Sequence, residues 1–493
     1  MNVLNFKADY KTMNGAAVLT ASIGAVLYVL AAQLGSLNPF VSSWDQVDFA
    51  LALDRFDLRA MQPHFPGYPY FILGGLFARA VINDPGQSLV FFNIVFYLSA
   101  VVPVYLLAHR LVPKLSAVAV TAAVYTASYP LLIVNQPMSE GAALAAFWWY
   151  LWSLSAAKER QSGKWIVLTL FLFSVLMGIR LSYIAAGIGL LYLLFEKWRK
   201  NQISLPGIVS YLLIGIGFQL IWVGALIITE GGIANFFELA FGFTGGHFQE
   251  WGGTAASSDL SIFSRINIFL FTNIFWWGIF SRTPVLMVIY IVIGILLFVS
   301  ANKSKQFKNP AFTLIALMLA AYGSWALFAQ NIDKPRHILP VALLLLFMTL
   351  TFVLQWNKGK NGIWLVMLLI IVQAFTSANL IRAQANDRPA VYQLARFMDQ
   401  QLEGFVLYTW EETRVLEYIQ VPFPHKRVYS YSVFHHDQAF YEGKTIYLTD
   451  RVVEGFRSQG IKLEGNIEKV KAFHSGKIFD PVYHEITLYK WTP

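Results

Sequence analysis

The stretch MNGAAVLTASIGAVLYVLAAQL, Met13 to Leu34, decides what kind of protein this is. A helix of about 22 uncharged residues is long enough to cross the roughly 30 Å apolar layer of a bilayer. Lys7 and Lys11 precede the run, as basic residues precede the core of a signal peptide, but such a core has only about 7–15 residues. The sequence therefore predicts an uncleaved signal anchor that spans the membrane.

The composition of the whole chain agrees with a membrane protein. Of its 493 residues, 56% are hydrophobic and 13% are charged, with a mean hydropathy of +0.52, whereas soluble domains carry roughly 25% charged residues. The net charge of +9 comes mostly from short basic clusters between apolar runs, which indicates membrane topology rather than nucleic-acid binding. The absence of cysteine excludes disulfides, thiolate metal sites and cysteine nucleophiles.

Apolar runs of membrane length recur, and they predict about eleven transmembrane helices. The expected spans are residues 13–34, 87–108, 115–134, 140–157, 164–179, 183–196, 206–228, 284–300, 310–329, 338–355 and 362–381. Two further apolar runs leave alternatives open. Ile262–Ile279 is compatible with an interfacial helix or part of a tilted span, and Tyr70–Ile82, which has about 13 residues and contains Arg79, favours an interfacial helix.

Basic residues in alternate short connectors predict the orientation, because such loops stay in the cytoplasm. The basic connectors are Lys7/Lys11, His109/Arg110/Lys114, KERQSGK from Lys158, EKWRK ending at Lys200, NKSKQFK ending at Lys308 and NKGK ending at Lys360. An odd number of spans then places the N-terminus inside and the C-terminus outside. Residues 1–384 would form the transmembrane domain, with a first external loop at 35–86 that carries interfacial helices.

Residues 385–493 have a different composition and predict a small external α/β domain. Short apolar runs typical of strands alternate with helical patterns at Pro389–Leu402 and Arg451–Gln459. The expected strands are FVLYTW, KRVYSY, KTIYLTD, KVKAFHS and EITLYKW. We see no internal repeat of the kind found in many transporters.

The segment SWDQVDFALALDRFDLRA in the first external loop predicts an amphipathic helix along the membrane surface. Helical spacing places Asp45, Asp48, Arg55 and Arg59 on one face. Two carboxylates followed by two arginines would hold a base near a phosphate. A solvated face with ion pairs is the alternative.

The segment QPHFPGYPYF follows, and its prolines at positions 63, 66 and 69 exclude a continuous helix. His64 lies in this rigid turn beside Phe65 and Tyr68. A lone histidine is often a structural hydrogen-bonding group, but this one is also a candidate phosphate or substrate contact at the bilayer surface.

Several charged residues on the expected external side require an explanation. Glu140 begins a span, where it would act as a helix cap or as a functional carboxylate at membrane depth. The cations run against the usual bias toward the cytoplasm, and an anionic ligand at the outer interface would explain them. They are Arg180, Arg282, Lys334, Arg336 and His337.

Together these segments resemble the GT-C superfamily of integral membrane glycosyltransferases, most closely its protein O-mannosyltransferase-like branch. The matching segments are WDQVDFALAL after the first span, QPHFPGYP, PMSE before the fourth span and DKPRHILP before a late span. The most specific is QPHFPGYP, which is similar to the PHPPGYP of that branch and departs from it at Phe65. The resemblance covers roughly residues 10–385, and we recognise no motif in the C-terminal domain.

The resemblance implies transfer of one sugar from a polyprenyl-phosphate donor to a glycolipid, cell-envelope glycan or protein acceptor. The transfer would occur with inversion on the outer face, in a bacterial inner membrane. The base would be Asp45, with Asp48 its rival, and Glu140, Tyr68 and His337 would position the substrates. A divalent cation would fit among the Asp, His and Glu side chains, but the spacing does not require one. The residues implied for the donor phosphate are His64, Arg336, Arg282, Arg180 and Lys334.

Two other functions remain open at this point. A transporter or flippase would show ionisable residues in mid-span, repeats and broken helices, whereas here such residues gather at one interface. A polysaccharide polymerase or ligase would also use a polyprenyl-linked donor, but it would be expected to lack the acidic motif of the first loop and the late external domain.

Overall fold

The computed structural model describes residues 13–301, 310–356, 360–401 and 404–492. The basic connectors expected at Lys7 and Lys11, at 302–308 and at 357–359 lie outside these residues. The described chain forms a large helical part followed by a small domain built on one sheet.

Helices account for nearly all of the first part, because its apolar runs are long and contain few internal proline or glycine breaks. In chain order they are α1 Met13–Gly35, α2 Trp44–Ala52, α3 Pro69–Ala78, α4 Pro85–Ser99, α5 Val101–His109, α6 Lys114–Tyr125, α7 Ser128–Val134, α8 Glu140–Glu159, α9 Lys164–Ile179, α10 Ile188–Arg199, α11 Leu205–Thr229, α12 Ile233–Gly246, α13 Ile262–Asn267, α14 Pro284–Ala301, α15 Pro310–Ala329, α16 Leu339–Trp356 and α17 Lys360–Asn386. Short 3₁₀ segments, Leu181–Gly187 and Pro335–Ile338, lead into α10 and α16, and a π-helical stretch, Ile268–Ile279, continues α13.

A helix occupies each of the eleven expected positions, but fewer of them are long and apolar enough to count as spans. Within the described ranges, eight helices meet that requirement, or nine if α6 and α7, which are bent by 57° at their junction, form one span. The expected count of about eleven is therefore reduced to eight or nine. Three expected spans fall outside this set: α8, which carries charged residues at both ends, and the shorter apolar helices α9 and Pro284–Phe298. Ile262–Ile279, which the sequence left open, is among the eight.

Helix α8 lies at the centre of the helical part. Sixteen of its 20 residues are buried, including Phe147, Trp148 and Tyr150, as expected for a helix that is surrounded by other helices on all sides. Its first residue, Glu140, is 2% exposed. A buried carboxylate requires charged or hydrogen-bonding partners. We therefore expect such partners at the end of the bundle where α8 begins.

The prediction of an amphipathic helix along the membrane surface in the first loop is wrong in two respects. Helix α2 ends at Ala52, and residues 53–67 form turns, so Arg55 and Arg59 do not share a face with Asp45 and Asp48. The helix is also buried on two sides. Phe49 packs in the hydrophobic core of the helical part, and Val47 packs in the core of the C-terminal domain. It is therefore held between two parts of the protein instead of lying on the membrane surface.

The C-terminal domain has both expected helices and two further short ones, and four of its five strands lie where the sequence predicts them, whereas the second strand shares only Lys426 and Arg427 with the predicted KRVYSY segment. The strands are β1 Phe405–Thr409, β2 His425–Arg427, β3 Thr445–Thr449, β4 Ile467–His474 and β5 Glu485–Trp491, and the helices are α18 Ala390–Asp399, α19 Glu412–Tyr418, α20 Tyr431–Asp437 and α21 Asp450–Ser458. The sheet order is β2-β1-β3-β5-β4, with β1 parallel to β2 and β3 and with β5 antiparallel to β3 and β4. Residues of α18 and α19 pack in the same core as α2, which brings this domain onto the first loop.

Candidate active site

Two aspartates on α2 face different surroundings. Asp45 lies in the first turn of the helix, where the helix dipole favours a carboxylate, and its side chain is 30% exposed. Asp48 lies almost one turn further along, and its side chain is completely buried. The two carboxylates that the sequence treated as rivals therefore differ in their access to a substrate.

The proline-rich turn places His64 beside Asp48. The Nδ1 atom of His64 lies 3.0 Å from Oδ2 of Asp48, and Nε2 lies 2.9 Å from the hydroxyl of Tyr68. Because a carboxylate only accepts, Nδ1–H donates to Asp48, and a neutral ring then accepts from Tyr68 through Nε2. Gly67, at φ +88°, gives the turn its shape, and its amide donates to the carbonyl of His64 at 3.0 Å.

Arg336 joins Asp45 to Glu140. Its Nη2 atom lies 2.7 Å from Oδ2 of Asp45, and its Nε lies 2.8 Å from Oε1 of Glu140. Lys334 approaches Asp45 at 4.0 Å, and Arg180 approaches Glu140 at 3.1 Å. The PMSE, DKPRHILP and first-loop segments, which are distant in sequence, thus meet in one cluster.

Arg414 of the C-terminal domain completes the surroundings of Asp48. Its Nε lies 3.1 Å and its Nη2 3.0 Å from Oδ1 of Asp48. The carboxylate therefore has Arg414 on one oxygen and His64 on the other. Across the whole cluster, the cations Arg180, Lys334, Arg336 and Arg414 form ion pairs with the carboxylates of Asp45, Asp48 and Glu140.

The surroundings shift the pKa values of the two aspartates in opposite directions. Burial opposes ionisation of Asp45, but the charges of Lys334 and Arg336 outweigh it and hold its pKa below the usual value of an aspartate. Burial raises the pKa of Asp48, and the hydrogen bond from His64 and the charge of Arg414 offset only part of the rise. Asp45 is therefore the carboxylate that stays ionised at working pH while remaining accessible.

Two of the residues proposed from sequence bind none of the carboxylates of the cluster, although His337 lies within electrostatic reach of Arg180, Lys334 and Arg336. Arg282 stacks over Trp277, 4.8 Å from the ring centre, and forms no ion pair with any residue of the described ranges. The ring of His337 turns toward the backbone, with Nδ1 3.2 Å from the carbonyl of Asn331. The structure brings the remaining candidates, Asp45, Asp48, His64, Tyr68, Glu140, Arg180, Lys334 and Arg336, to one place.

No metal site is apparent at this end of the bundle. Among the residues that the structure describes, no group of three or more His, Asp or Glu side chains is arranged to hold a metal ion. The carboxylates of the cluster are instead occupied by arginine and histidine side chains.

Sequence reasoning missed three polar residues at the cluster. Arg414 and Asp480 come from the C-terminal domain, in which no motif is recognisable, and the charges of Lys334 and Arg336 act on Asp480. Tyr129 in α7 is fully buried, and its hydroxyl has no hydrogen-bond partner among the described residues, although Arg336 and Glu140 are within electrostatic reach. The only sequence signal for Tyr129 would be a polar ring in an otherwise apolar run.

A cavity of about 440 Å³ opens beside His64 between the proline-rich turn and α12. Most of the residues that line it present apolar atoms. The lining residues are Leu58, Arg59, Met61, His64, Phe65, Glu238, Leu239, Gly242 and Phe243. A mostly apolar cavity that reaches His64 suits a ligand with a hydrocarbon part and a polar head.

Comparisons with known proteins agree with the resemblance inferred from the motifs. The family model for dolichyl-phosphate-mannose-protein mannosyltransferase matches residues 63–222. ArnT from Cupriavidus metallidurans, solved with bound undecaprenyl phosphate, superposes with a TM-score of 0.57 at 11% identity, covering 97% of this chain and 98% of that chain. The apo oligosaccharyltransferase from Archaeoglobus fulgidus superposes with a TM-score of 0.52 at 13% identity, covering 90% of this chain and 70% of that chain. No curated protein sequence matches.

These matches confirm the GT-C-like fold, a membrane-embedded helical part with a small C-terminal sheet domain. The family match begins in the proline-rich turn and includes the PMSE segment and Arg180. The protein is an integral membrane protein.

Proposed function

We propose that this GT-C-type glycosyltransferase moves a single sugar from a polyprenyl-phosphate donor to a hydroxyl or amine of an acceptor, with inversion, on the outer face of the membrane. The observation that carries the proposal is the position of Asp45. It is an accessible, ionised carboxylate with Arg336 at 2.7 Å and Lys334 at 4.0 Å. A base next to cations is what transfer from a phosphate-linked sugar requires.

The reaction would proceed in one displacement. The acceptor oxygen or nitrogen forms a bond to the anomeric carbon as the bond from that carbon to the phosphate oxygen breaks. Asp45 takes the proton of the acceptor, and the electron pair leaves with the polyprenyl phosphate. Because the phosphate is already a weak base, no general acid is needed, in contrast to the hydrolysis of glycosides.

The two aspartates then have different roles. Asp48 is fully buried, and both of its oxygens are bound, so it is not free to reach an acceptor. We assign it to holding His64, and through His64 the hydroxyl of Tyr68. Asp45 is assigned as the base because its Oδ2 contacts Arg336 while its side chain remains 30% exposed.

The cations of the cluster would bind the donor phosphate. Arg336 lies between Asp45 and Glu140. A phosphate would replace one of these contacts and leave the guanidinium free to stabilise the charge that develops on the leaving group. Lys334 would add a second charge, and Arg180 would hold Glu140 in place for the sugar or acceptor. ArnT was solved with undecaprenyl phosphate, which supports a donor of this class.

The apolar cavity beside His64 would accept the hydrocarbon chain of the donor. It lies next to the charged cluster, and Leu58, Phe65 and Phe243 contribute apolar walls. A polyprenyl chain placed there would bring its phosphate toward His64 and the cations. This arrangement also supports a lipid-linked donor over a water-soluble sugar nucleotide.

The test is sugar transfer by the full chain in nanodiscs, with a panel of undecaprenyl-phosphate hexoses and pentoses. The release of undecaprenyl phosphate and the anomeric configuration of the product are measured. We expect Asp45→Asn to lower turnover by about 10²- to 10⁴-fold, the usual contribution of a general base, without loss of donor binding. Asp54→Asn is the matched control, because Asp54 pairs with Arg79 in the same loop.

Two results would contradict the proposal. Near-normal turnover in a folded Asp45→Asn protein would exclude Asp45 as the base. Failure of the wild-type chain to bind undecaprenyl phosphate, together with no transfer from any donor of the panel, would exclude the polyprenyl-phosphate reaction itself.

A further inference from the structure

Arg414 connects the C-terminal domain to the first loop through several contacts. It lies on α19, and 366 residues separate it from Asp48 in the chain, yet its Nε donates to Oδ1 of Asp48 at 3.1 Å. Its Nη2 also donates to the carbonyls of Ala60 and Met61, at 3.2 and 3.1 Å. One guanidinium thus holds both the buried carboxylate and the backbone that leads into the proline-rich turn.

The contact with Asp48 has an electrostatic reason. A carboxylate with no exposed surface is costly to ionise unless charged or hydrogen-bonding groups compensate it. In the part of the chain that the structure describes, the carboxylate of Asp48 accepts a hydrogen bond from His64 and forms an ion pair with Arg414. Arg414 therefore supplies the permanent charge that lets Asp48 remain a firm acceptor for His64.

The backbone contacts reinforce the same geometry. Ala60 and Met61 precede Pro63 and His64, and Met61 has φ +56°, an uncommon conformation for a residue with a side chain. The planar guanidinium presents several donors in fixed directions. It can therefore hold the carboxylate and both carbonyls at once, whereas a lysine ammonium would not reproduce this fork.

These contacts form a continuous series that leads from Arg414 to the hydroxyl of Tyr68. Arg414 binds Asp48, Asp48 accepts from His64, and His64 binds the hydroxyl of Tyr68. Tyr68 lies within electrostatic reach of Asp45 and of Glu140, Arg180 and Arg336. The position of the tyrosine hydroxyl, which contacts His64, thus depends on a residue of the other domain.

We propose that Arg414 is a positioning residue for sugar transfer, and that the C-terminal domain is through it a required part of the active site. Arg414 acts on Asp48 and on the carbonyls of residues 60 and 61, which together hold His64 and Tyr68. The proposal rests on the proposed function, because the groups that it positions are those assigned to the transfer.

Other contacts keep the two domains together without Arg414. The hydroxyl of Tyr392 donates to the carbonyl of Val41 at 3.2 Å, and Nε2 of Gln136 donates to the carbonyl of Phe479 at 2.8 Å. Apolar residues of α2, α18 and α19 also share one core. A variant that removes only the guanidinium is therefore expected to keep the domains docked.

The experiment compares Arg414→Gln with Arg427→Gln in the full chain in nanodiscs, with the undecaprenyl-phosphate sugar panel. Arg427 is the matched control, because it also stacks on Trp44 but touches neither Asp48 nor the carbonyls of residues 60 and 61. We expect Arg414→Gln to lower kcat by about 100-fold, as small misplacements at an active site do. The KM for the donor should change by less than about threefold. Arg427→Gln should behave like the wild type.

Two further variants separate positioning from a general loss of stability. Arg414→Lys keeps the charge without the fork and should recover only part of kcat. Combining Arg414→Gln with Asp48→Asn should cost little more than either change alone, because both act through the same contacts. Three results would each overturn the proposal. They are full activity of Arg414→Lys, a change in Arg414→Gln that affects only KM, and a fall in kcat in the double variant equal to the product of the falls in the two single variants.

Hydrogen exchange makes this test independent of the transfer reaction. We expect the peptide that covers residues 58–67 to exchange faster in Arg414→Gln and to remain unchanged in Arg427→Gln. If the wild-type chain transfers no sugar, the proposed function fails, and the exchange result still decides whether Arg414 holds this turn. Unchanged exchange in Arg414→Gln would overturn the positioning role whether or not transfer is detected.

Discussion

Arg336 donates to Asp45 across 291 residues of the chain, with Nη2 2.7 Å from Oδ2. The contact joins the helix of the first loop to the segment before a late span. It also places a cation directly beside the carboxylate that we propose as the base. The same guanidinium reaches Glu140 at 2.8 Å, so the positions of the two carboxylates depend on one side chain.

Arg336→Lys is expected to weaken donor binding more than folding. A single ammonium keeps the charge but does not reach both carboxylates in the way that the guanidinium does. We expect the KM for undecaprenyl-phosphate sugar to rise about tenfold, a loss of one good charge-assisted contact. Arg79→Lys is the control, because Arg79 forms an ion pair with Asp54 in the first loop away from this cluster. Equal effects of the two changes would contradict a role of Arg336 at the phosphate.

Gly67→Ala is expected to lower both stability and turnover. Gly67 has φ +88°, and an added Cβ would lie 3.0 Å from a methyl of Leu226 and 3.1 Å from one of Leu58. The cost should be about 1–2 kcal/mol of unfolding free energy, and the displaced turn should move His64.

The control for Gly67→Ala is Gly443→Ala in the C-terminal domain. Gly443 has a similar φ of +80°, but nothing lies within 4 Å of its added Cβ. Chemical denaturation and turnover are measured for both variants. A normal turnover in Gly67→Ala would show that the turn does not need this geometry for catalysis.

Glu412→Gln is expected to stabilise the protein at high pH. Burial raises the pKa of Glu412 to about 7 from its ordinary value of 4.5. Because the folded state holds the proton more tightly, the glutamate costs stability as pH rises from about 4.5 through 7, and no cost remains below that window. At pH 8 the gain should be at most about 3 kcal/mol, and it should vanish near pH 4.

The pH series of thermal unfolding for Glu412→Gln is compared with that of Glu464→Gln, since Glu464 is solvent-exposed. The glutamine can still accept from the amide of Trp410, which donates to Oε2 of Glu412 at 2.9 Å. A gain that is the same at every pH would contradict the ionisation argument.

Ser458→Cys tests the external placement of the C-terminal domain. Ser458 is exposed at the end of α21, and the chain has no native cysteine to interfere. A membrane-impermeant thiol reagent added outside cells should label this cysteine. Ser162→Cys, in the basic connector expected in the cytoplasm, should be labelled only after permeabilisation. The reverse pattern would overturn the orientation.

The sequence by itself determined the class of the fold. Long apolar runs and alternating short strands are local patterns, so all eleven helical positions and four of the five strands of the C-terminal domain appear where composition and periodicity predict them. The motif QPHFPGYP also pointed to the fold that the structural comparisons confirm, because proline and glycine impose a backbone shape whatever surrounds them. Within the described ranges, eight or nine of the helices meet the length and composition of a span, against the expected count of about eleven.

Only the tertiary structure decided how the charged residues are used. Helical spacing placed Asp45 and Asp48 together on one solvated face, but the packing of α2 between the two parts of the protein leaves Asp45 half-buried and Asp48 fully buried. The partners that distinguish them, Arg336 and Arg414, lie 291 and 366 residues away. Contacts at such separations arise from how helices and domains pack, and no local pattern of spacing or composition specifies them.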